Sequence, residues 1–174
     1  MAKKFKKIFL VDDDPNHNEM LKTFLLDKFN LDVTTFSTAE DAINNIHQKP
    51  EFVILDFNLD RVKKGAMDGI EALKKIKEMN PDIFVIMLSG QDKIEVAVDT
   101  MKYGAFDYVV KNPTGFLRVE NILNNIHKNL RDRYLAKAYK MSTIILAGAI
   151  ISFILAAVIL RKMGVATDDI LWFS

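Results

Sequence analysis

Residues 8–15 read IFLVDDDP: four apolar residues run straight into three carboxylates and a proline. Lys6 to Val11 reads as a short buried strand. Asp14 is placed to cap a helix with Pro15 in its first turn, where the missing N–H is not needed. Met20, Leu21, Phe24, Leu25 and Phe29 give that helix one apolar face. Leu31 to Phe36 alternates as a second strand, and Ser37-Thr38-Ala39-Glu40 forms a capping box for a helix with Ala42, Ile43 and Ile46 inward. Phe52 to Leu55 is a third strand that ends on another carboxylate, Asp56. A helix from about Gly69 to Met79 follows, with Ile70, Leu73 and Ile76 on one face, and Pro81 stops it. Ile83 to Leu88 is a fourth strand, Asp92 to Tyr103 a helix ended by Gly104, and Phe106 to Val110 a fifth strand. The last helix starts near Pro113 and carries Val119, Ile122, Leu123, Ile126 and Leu130 at helical spacing. Five strands alternating with five helices predict an α/β domain, a doubly wound parallel sheet covered on both faces.

Composition limits the chemistry. The 174 residues balance 24 Lys and Arg against 23 Asp and Glu, a net charge of +1. Nucleic acid is therefore not an expected partner, since a dedicated binder carries a basic excess. No cysteine is present, which excludes disulfides, thiolate metal sites and thiol nucleophiles and fits a reducing compartment. The basic start MAKKFKK leads only to IFLV before the aspartates, too short for a signal-peptide core.

The strand ends share one property. Strand one closes on Asp12-Asp13, strand three on Asp56, strand four on Ser89, and Lys111 follows strand five. In open sheets of this kind the site lies beyond the carboxyl ends of the strands. If strands one and three are neighbours, three carboxylates meet at one rim, and a cation is needed to hold them together. Oxygen ligands without His or Cys select a hard ion, and a few carboxylates with open positions suit Mg²⁺. A hydroxyl and an ammonium beside them would hold a phosphoryl group, and a carboxylate can itself become an aspartyl phosphate.

The ordered pieces IFLVDDDP, VILDFN, MDGIEALKKIK, MLSG and GAFDYVVK, over about Lys6 to Leu130, resemble the receiver domains of two-component response regulators. The resemblance implies a flavodoxin-like sheet of order 2-1-3-4-5. It implies Asp56 as phosphoacceptor, supplied by a histidine kinase or phosphotransfer protein, with at most slow self-phosphorylation and self-dephosphorylation. Asp12, Asp13 and Asp56, with the backbone carbonyl of Asn58, match the Mg²⁺ ligands. Ser89 and Lys111 match the groups that meet the phosphoryl oxygens, and Ser89 with Tyr108 the hydroxyl and aromatic of the switch. His17 lies near the rim where such domains meet their kinases. Haloacid-dehalogenase-type phosphatases also phosphorylate an aspartate after a strand, but they need an acid/base Asp two residues later, where this chain has Asn58.

Two departures from the family pattern are local. Asp60 to Ala66 makes the loop after Asp56 about five residues longer than usual and without its proline. Lys111 is followed by Asn112-Pro113 rather than directly by proline, so a cis bond at Lys111–Asn112 would cost about 2.5–4 kcal/mol.

The third departure is the chain's end. Met141 to Leu160 carries no ionisable side chain across 20 residues, enough for a helix of roughly 30 Å, the hydrocarbon thickness of a bilayer. Lys128, Arg131, Arg133, Lys137 and Lys140 precede it, against Arg161 and Lys162 after it, with Asp168 and Asp169 beyond. The bias predicts a single pass through the cytoplasmic (inner) membrane with the folded domain in the cytoplasm. Trp172 and Phe173 are placed as anchors at the far interface. Gly148, Ser152 and Ala156 form a small-residue stripe suited to a transmembrane contact and a homodimer. The expected organisation is a receiver domain at 1–130, a basic juxtamembrane extension at 131–140, a transmembrane helix at 141–160 and a short tail at 161–174. The expected function is a tethered, non-enzymatic signalling receiver with an unidentified downstream protein partner; the alternatives are a membrane scaffold or a phosphorelay sink.

Overall fold

The computed structural model describes residues 7–59, 66–90 and 94–162. Five strands form one parallel sheet: β1 (Lys7–Val11), β2 (Asp32–Phe36), β3 (Phe52–Asp56), β4 (Phe84–Ser89) and β5 (Asp107–Val110). Their order is β2-β1-β3-β4-β5, as expected for a flavodoxin-like doubly wound α/β fold. Between them run α1 (Pro15–Lys28), α2 (Ala39–Asn44), α3 (Gly69–Met79) and α4 (Ile94–Lys102), and α5 (Gly115–Lys162) follows β5.

The inner strands β1, β3 and β4 are buried on both faces, which is why they read as near-continuous apolar runs, whereas the edge strand β2 is only partly buried. One face brings Phe9, Val11, Val53, Leu55, Val85, Met87 and Tyr108 together with Ala42, Leu73 and Ile76 of α2 and α3. Alternation sends Ile8, Leu10, Ile54, Ile86 and Val109 to the other face, and these are equally buried. Inward residues of α1 and of the start of α5, Leu21, Leu25, Val119 and Leu123, are buried too.

Three local readings change. Met20 is 61% exposed, so the apolar face of α1 is narrower than expected and centres on Leu21 and Leu25. The cap of α2 is Thr38, not Ser37: Thr38 Oγ1 accepts from the Asp41 N–H at 3.2 Å. Glu40 is absent from that box because its carboxylate instead accepts the Met67 N–H at 2.9 Å, tying α2 to the entry of α3. The reciprocal capping box is found at α3, between Asp68 and Glu71. The described peptide bonds include none in cis. Asn112 replaces that device with a turn: Gly115 N–H donates to the Asn112 carbonyl at 2.9 Å, and Asn112 Oδ1 accepts from the Thr114 N–H at 3.0 Å.

The chain divides into two units, Met1–Asn124 and Asn125–Ser174. In the second, Ala138–Lys162 is a helical stretch of 25 residues, apolar and long enough to cross a membrane. Its large side chains, Ile145 and Phe153 among them, are exposed. Of the expected insertion at Asp60 to Ala66, residues 60–65 lie outside the described residues, as do the anchors Trp172 and Phe173.

Candidate functional site

The parallel ladder holds the site by continuing one residue past the strands. Asp12 N–H donates to the Phe36 carbonyl at 3.1 Å, Phe57 N–H to the Leu88 carbonyl at 2.8 Å, and Lys111 N–H to the Ser89 carbonyl at 2.7 Å. β1 and β3 are direct neighbours, with Val11 opposite Leu55. Asp12, Asp13 and Asp56 consequently meet, each offering a carboxylate oxygen within 4.8 Å of the others.

A single ammonium faces two of these acids. Lys111 Nζ lies 2.6 Å from Asp12 Oδ2 and 3.0 Å from Asp56 Oδ2. Asp12 is fully satisfied: Oδ2 also meets His17 Nδ1 at 2.6 Å, and Oδ1 accepts the Asp14 N–H at 3.0 Å. Asp56 is less well served: both of its oxygens are buried, and the Lys111 ammonium, shared with Asp12, and the Asn58 backbone are its partners. The two acids titrate accordingly. Burial pushes the Asp12 carboxyl up, but the bonds from His17, Lys111 and Asp14 outweigh it and hold Asp12 below the ordinary carboxylate range. Burial pushes Asp56 up as well; Lys111 pulls it down, the neighbouring Asp12 charge pushes it up, and the net direction is upward.

Of the other residues read from sequence, Ser89 closes β4 and is fully buried, with its neighbour in the ladder being Val110 beside Lys111. Asn58 is half-buried, two residues beyond β3. Tyr108 is 7% exposed and packs in the core formed with Val85 and Met87. Gly148, Ser152 and Ala156 are exposed in the helical stretch of the second unit, away from any of these groups in sequence.

Three contributors were not anticipated. His17 is a direct partner of Asp12, a contact foreshadowed only by its place in the first turn after the aspartates. Asn18 is buried and donates through Nδ2 to the carbonyls of Asp12 and Phe36 at 2.9 and 3.1 Å, pinning the end of β1 to the end of β2. Gly69 lies so close to the chain leaving β3 that a Cβ there would stand 2.5 Å from the Asp56 carbonyl oxygen.

A five-stranded sheet of this order, with acids at the ends of adjacent central strands and a lysine after the last, defines a receiver-type α/β domain. The family model for the response regulator receiver domain matches residues 8–122, and the chain belongs to that family. The transcriptional regulatory protein ZraR of Salmonella typhimurium is 33% identical over 125 residues, 72% of this chain but 27% of ZraR. The chain thus spans about a quarter of the length of that curated relative. Among solved structures, the receiver domain of NtrX from Brucella abortus is 29% identical with a TM-score of 0.60, covering 68% of this chain and 95% of that one. The BeF3-activated DrrB receiver domain is 32% identical with a TM-score of 0.58, covering 69% of this chain and 98% of that one.

Proposed function

We propose that this chain is a membrane-tethered response regulator receiver that takes a phosphoryl group on Asp56. The observation carrying this reading is the state of that side chain: 1% exposed, at the end of the central strand, clustered with Asp12 and Asp13 and with an ammonium 3.0 Å away. The donor set suits Mg²⁺. Three carboxylates meet with one lysine shared between Asp12 and Asp56, the ligands are all oxygen, and the clustered acids call for a cation. Asp12, Asp13, Asp56 and the Asn58 carbonyl would hold the ion, which when bound neutralises charge on the acids and on the incoming phosphoryl oxygens.

In the transfer, an Asp56 oxygen forms a bond to phosphorus as the phosphorus–nitrogen bond to the donor breaks. The electron pair departs with the donor, an imidazole of a histidine kinase or phosphotransfer protein. Lys111 and the Ser89 hydroxyl then face the new phosphoryl oxygens, and Tyr108 in the adjacent strand reads the change out to a downstream protein. The raised Asp56 pKa suits this, because a group kept short of stabilising partners gains most when a cation arrives.

Ala138–Lys162 supports a single-pass tether in the cytoplasmic membrane, with the preceding basic residues keeping the receiver in the cytoplasm. Its Gly148, Ser152 and Ala156 offer a close-packing stripe to a second copy; unchanged self-association in a membrane assay after Gly148→Ile and Ala156→Ile removes that part. The central test is incubation of the full chain with phosphoramidate and Mg²⁺, followed by intact mass. One phosphoryl adduct is expected, lost in Asp56→Ala; no adduct on the unaltered chain overturns the reading.

A further inference from the structure

The residues from Ile126 to Lys140 hold Lys128, Arg131, Arg133, Lys137 and Lys140 against one acid, Asp132, a net charge of +4, while the rest of the chain sums to −3. All of them lie in α5 within the second unit, directly ahead of the uncharged run that begins at Met141. Charge that serves only to orient a span works by number, wherever it falls around the helix. Here its position is selective. At 3.6 residues per turn, positions 133, 137 and 140 share one side of the helix within an arc of about 60°, and positions 128 and 131 fall on the opposite side. Asp132 stands four residues after Lys128, the spacing of a helical ion pair, but no acid stands three or four positions from Arg133, Lys137 or Lys140. Those three are instead like charges at ion-pair spacing, which weakens a helix unless an anion meets them.

Depth selects the same residues. Measured along the helix from Met141, Lys140 is about 1.5 Å, Lys137 about 6 Å and Arg133 about 12 Å toward the folded domain. The headgroup layer on one side of a bilayer is roughly 5–7 Å thick, and its field reaches about 8 Å further. Lys140 and Lys137 therefore stand among the headgroups and Arg133 within their field, whereas Lys128, about 20 Å away, lies beyond it. Lys140 is exposed, and beside it Tyr139 is 74% exposed, an aromatic at the level where rings of this kind sit between headgroups. The nearby hydroxyls are already engaged: Ser142 Oγ donates to the Ala138 carbonyl at 3.0 Å and Thr143 Oγ1 to the Lys140 carbonyl at 2.8 Å. Phosphate oxygens at this level are left to the cations.

We propose that Arg133, Lys137 and Lys140 form a binding stripe for the headgroups of anionic phospholipids in the leaflet facing the receiver. The opposite end of the span offers only Arg161 and Lys162, with Asp168 and Asp169 beyond, so the preference belongs to one leaflet. The inference rests on the membrane-tether reading of Ala138–Lys162.

The test uses the full chain in nanodiscs of phosphatidylcholine with a minor share of phosphatidylglycerol. Electron paramagnetic resonance of spin-labelled phosphatidylglycerol and of spin-labelled phosphatidylcholine gives the association of each lipid with the protein. Two variants remove equal charge: Lys137→Gln with Lys140→Gln on the stripe, and Lys128→Gln with Arg131→Gln away from it. The unaltered chain should favour the anionic label about fivefold, the effect of one basic residue at a charged membrane surface. The stripe variant should fall to about twofold or less, and the other variant should keep most of the preference. Equal association of both labels with the unaltered chain overturns the proposal. So does an equal loss in the two variants, which marks net charge alone. Displacement of the anionic label by inorganic phosphate beyond that caused by sodium chloride of equal ionic strength also overturns it, because it marks a site for free anions. A chain that does not stay with the nanodiscs overturns the tether reading and this proposal together, whereas a retained chain without lipid preference overturns this proposal alone.

Discussion

Lys111 Nζ stands 3.0 Å from Asp56 Oδ2, a shared contact that does not offset the burial of this carboxylate. The lysine's short contact is to Asp12, at 2.6 Å. Asp56 is thus the acid that folding leaves under-stabilised.

Removing its charge should help the fold. Burial raises the Asp56 pKa above 3.8, so the folded state holds this proton more firmly than the unfolded chain does. The associated stability is fully present below 3.8 and lost as pH rises through the folded value. Asp56→Asn should therefore raise the unfolding free energy at neutral pH without Mg²⁺, by about 1–3 kcal/mol. The advantage should shrink as pH falls into the carboxylate range. Denaturant melts across that range check it, and a pH-independent difference contradicts it.

Gly69→Ala should do the opposite. The added Cβ would lie 2.5 Å from the Asp56 carbonyl oxygen and 2.7 Å from the Phe57 Cα, backbone atoms that cannot rotate aside. Overpacking of this kind costs about 1–3 kcal/mol. Because the strain falls on the residue that carries the site, phosphorylation by phosphoramidate should slow as the melting temperature drops. A variant as stable and as fast as the unaltered chain contradicts this.

At the opposite end of the sheet, Lys77 donates to the Ile83 carbonyl at 2.6 Å and to the Pro81 carbonyl at 3.1 Å. Burial depresses its pKa below 10.5, and Asp82 only partly offsets this. The unfolded chain therefore binds this proton more tightly, and its contribution to stability rises with pH through the folded value toward 10.5. Lys77→Met should remove that alkaline rise. Stability measured on both forms between neutral and alkaline pH reads the difference in slope.

The tether is tested by charge. Ile151→Lys with Ile154→Lys puts two ammoniums in the middle of the Ala138–Lys162 helix, each costing about 2.5–3.5 kcal/mol at a bilayer centre. The doubly altered chain should leave the membrane pellet on an alkaline carbonate wash while the unaltered chain stays. An unaltered chain found in the wash contradicts the tether.

What could be read from sequence was what depends on neighbours along the chain. Apolar runs ending in Asp12, Asp56 and Ser89 report strands and their rims directly, and the bounds of α3 follow from Asp68, Gly69 and Pro81. What escaped reading depends on partners far away. Glu40 abandons its box because Met67, 27 residues on, offers an N–H. Met20 follows the helical period of Leu21 and Leu25, yet it is left 61% exposed. His17 and Lys111 converge on one oxygen from 5 and 99 residues away, and nothing in either local pattern announces it. The turn at Asn112 was hidden for a different reason: an Asx side chain supplies by hydrogen bonding what a proline supplies by ring geometry.

The separation of 99 residues between Asp12 and Lys111 also sets an order of events during synthesis. Synthesis runs from the N-terminus, and a domain folds largely as a unit. β1, β3 and β4 leave the ribosome before β5, so a nascent chain can lay its acids side by side before their lysine exists. Until Lys111 arrives, the central strands carry mutual repulsion at their rim, which weakens partial sheets and favours closing β5 together with the site. Premature termination within α4 would leave a fragment that is electrostatically frustrated at its most buried acids, a ready substrate for proteolytic quality control.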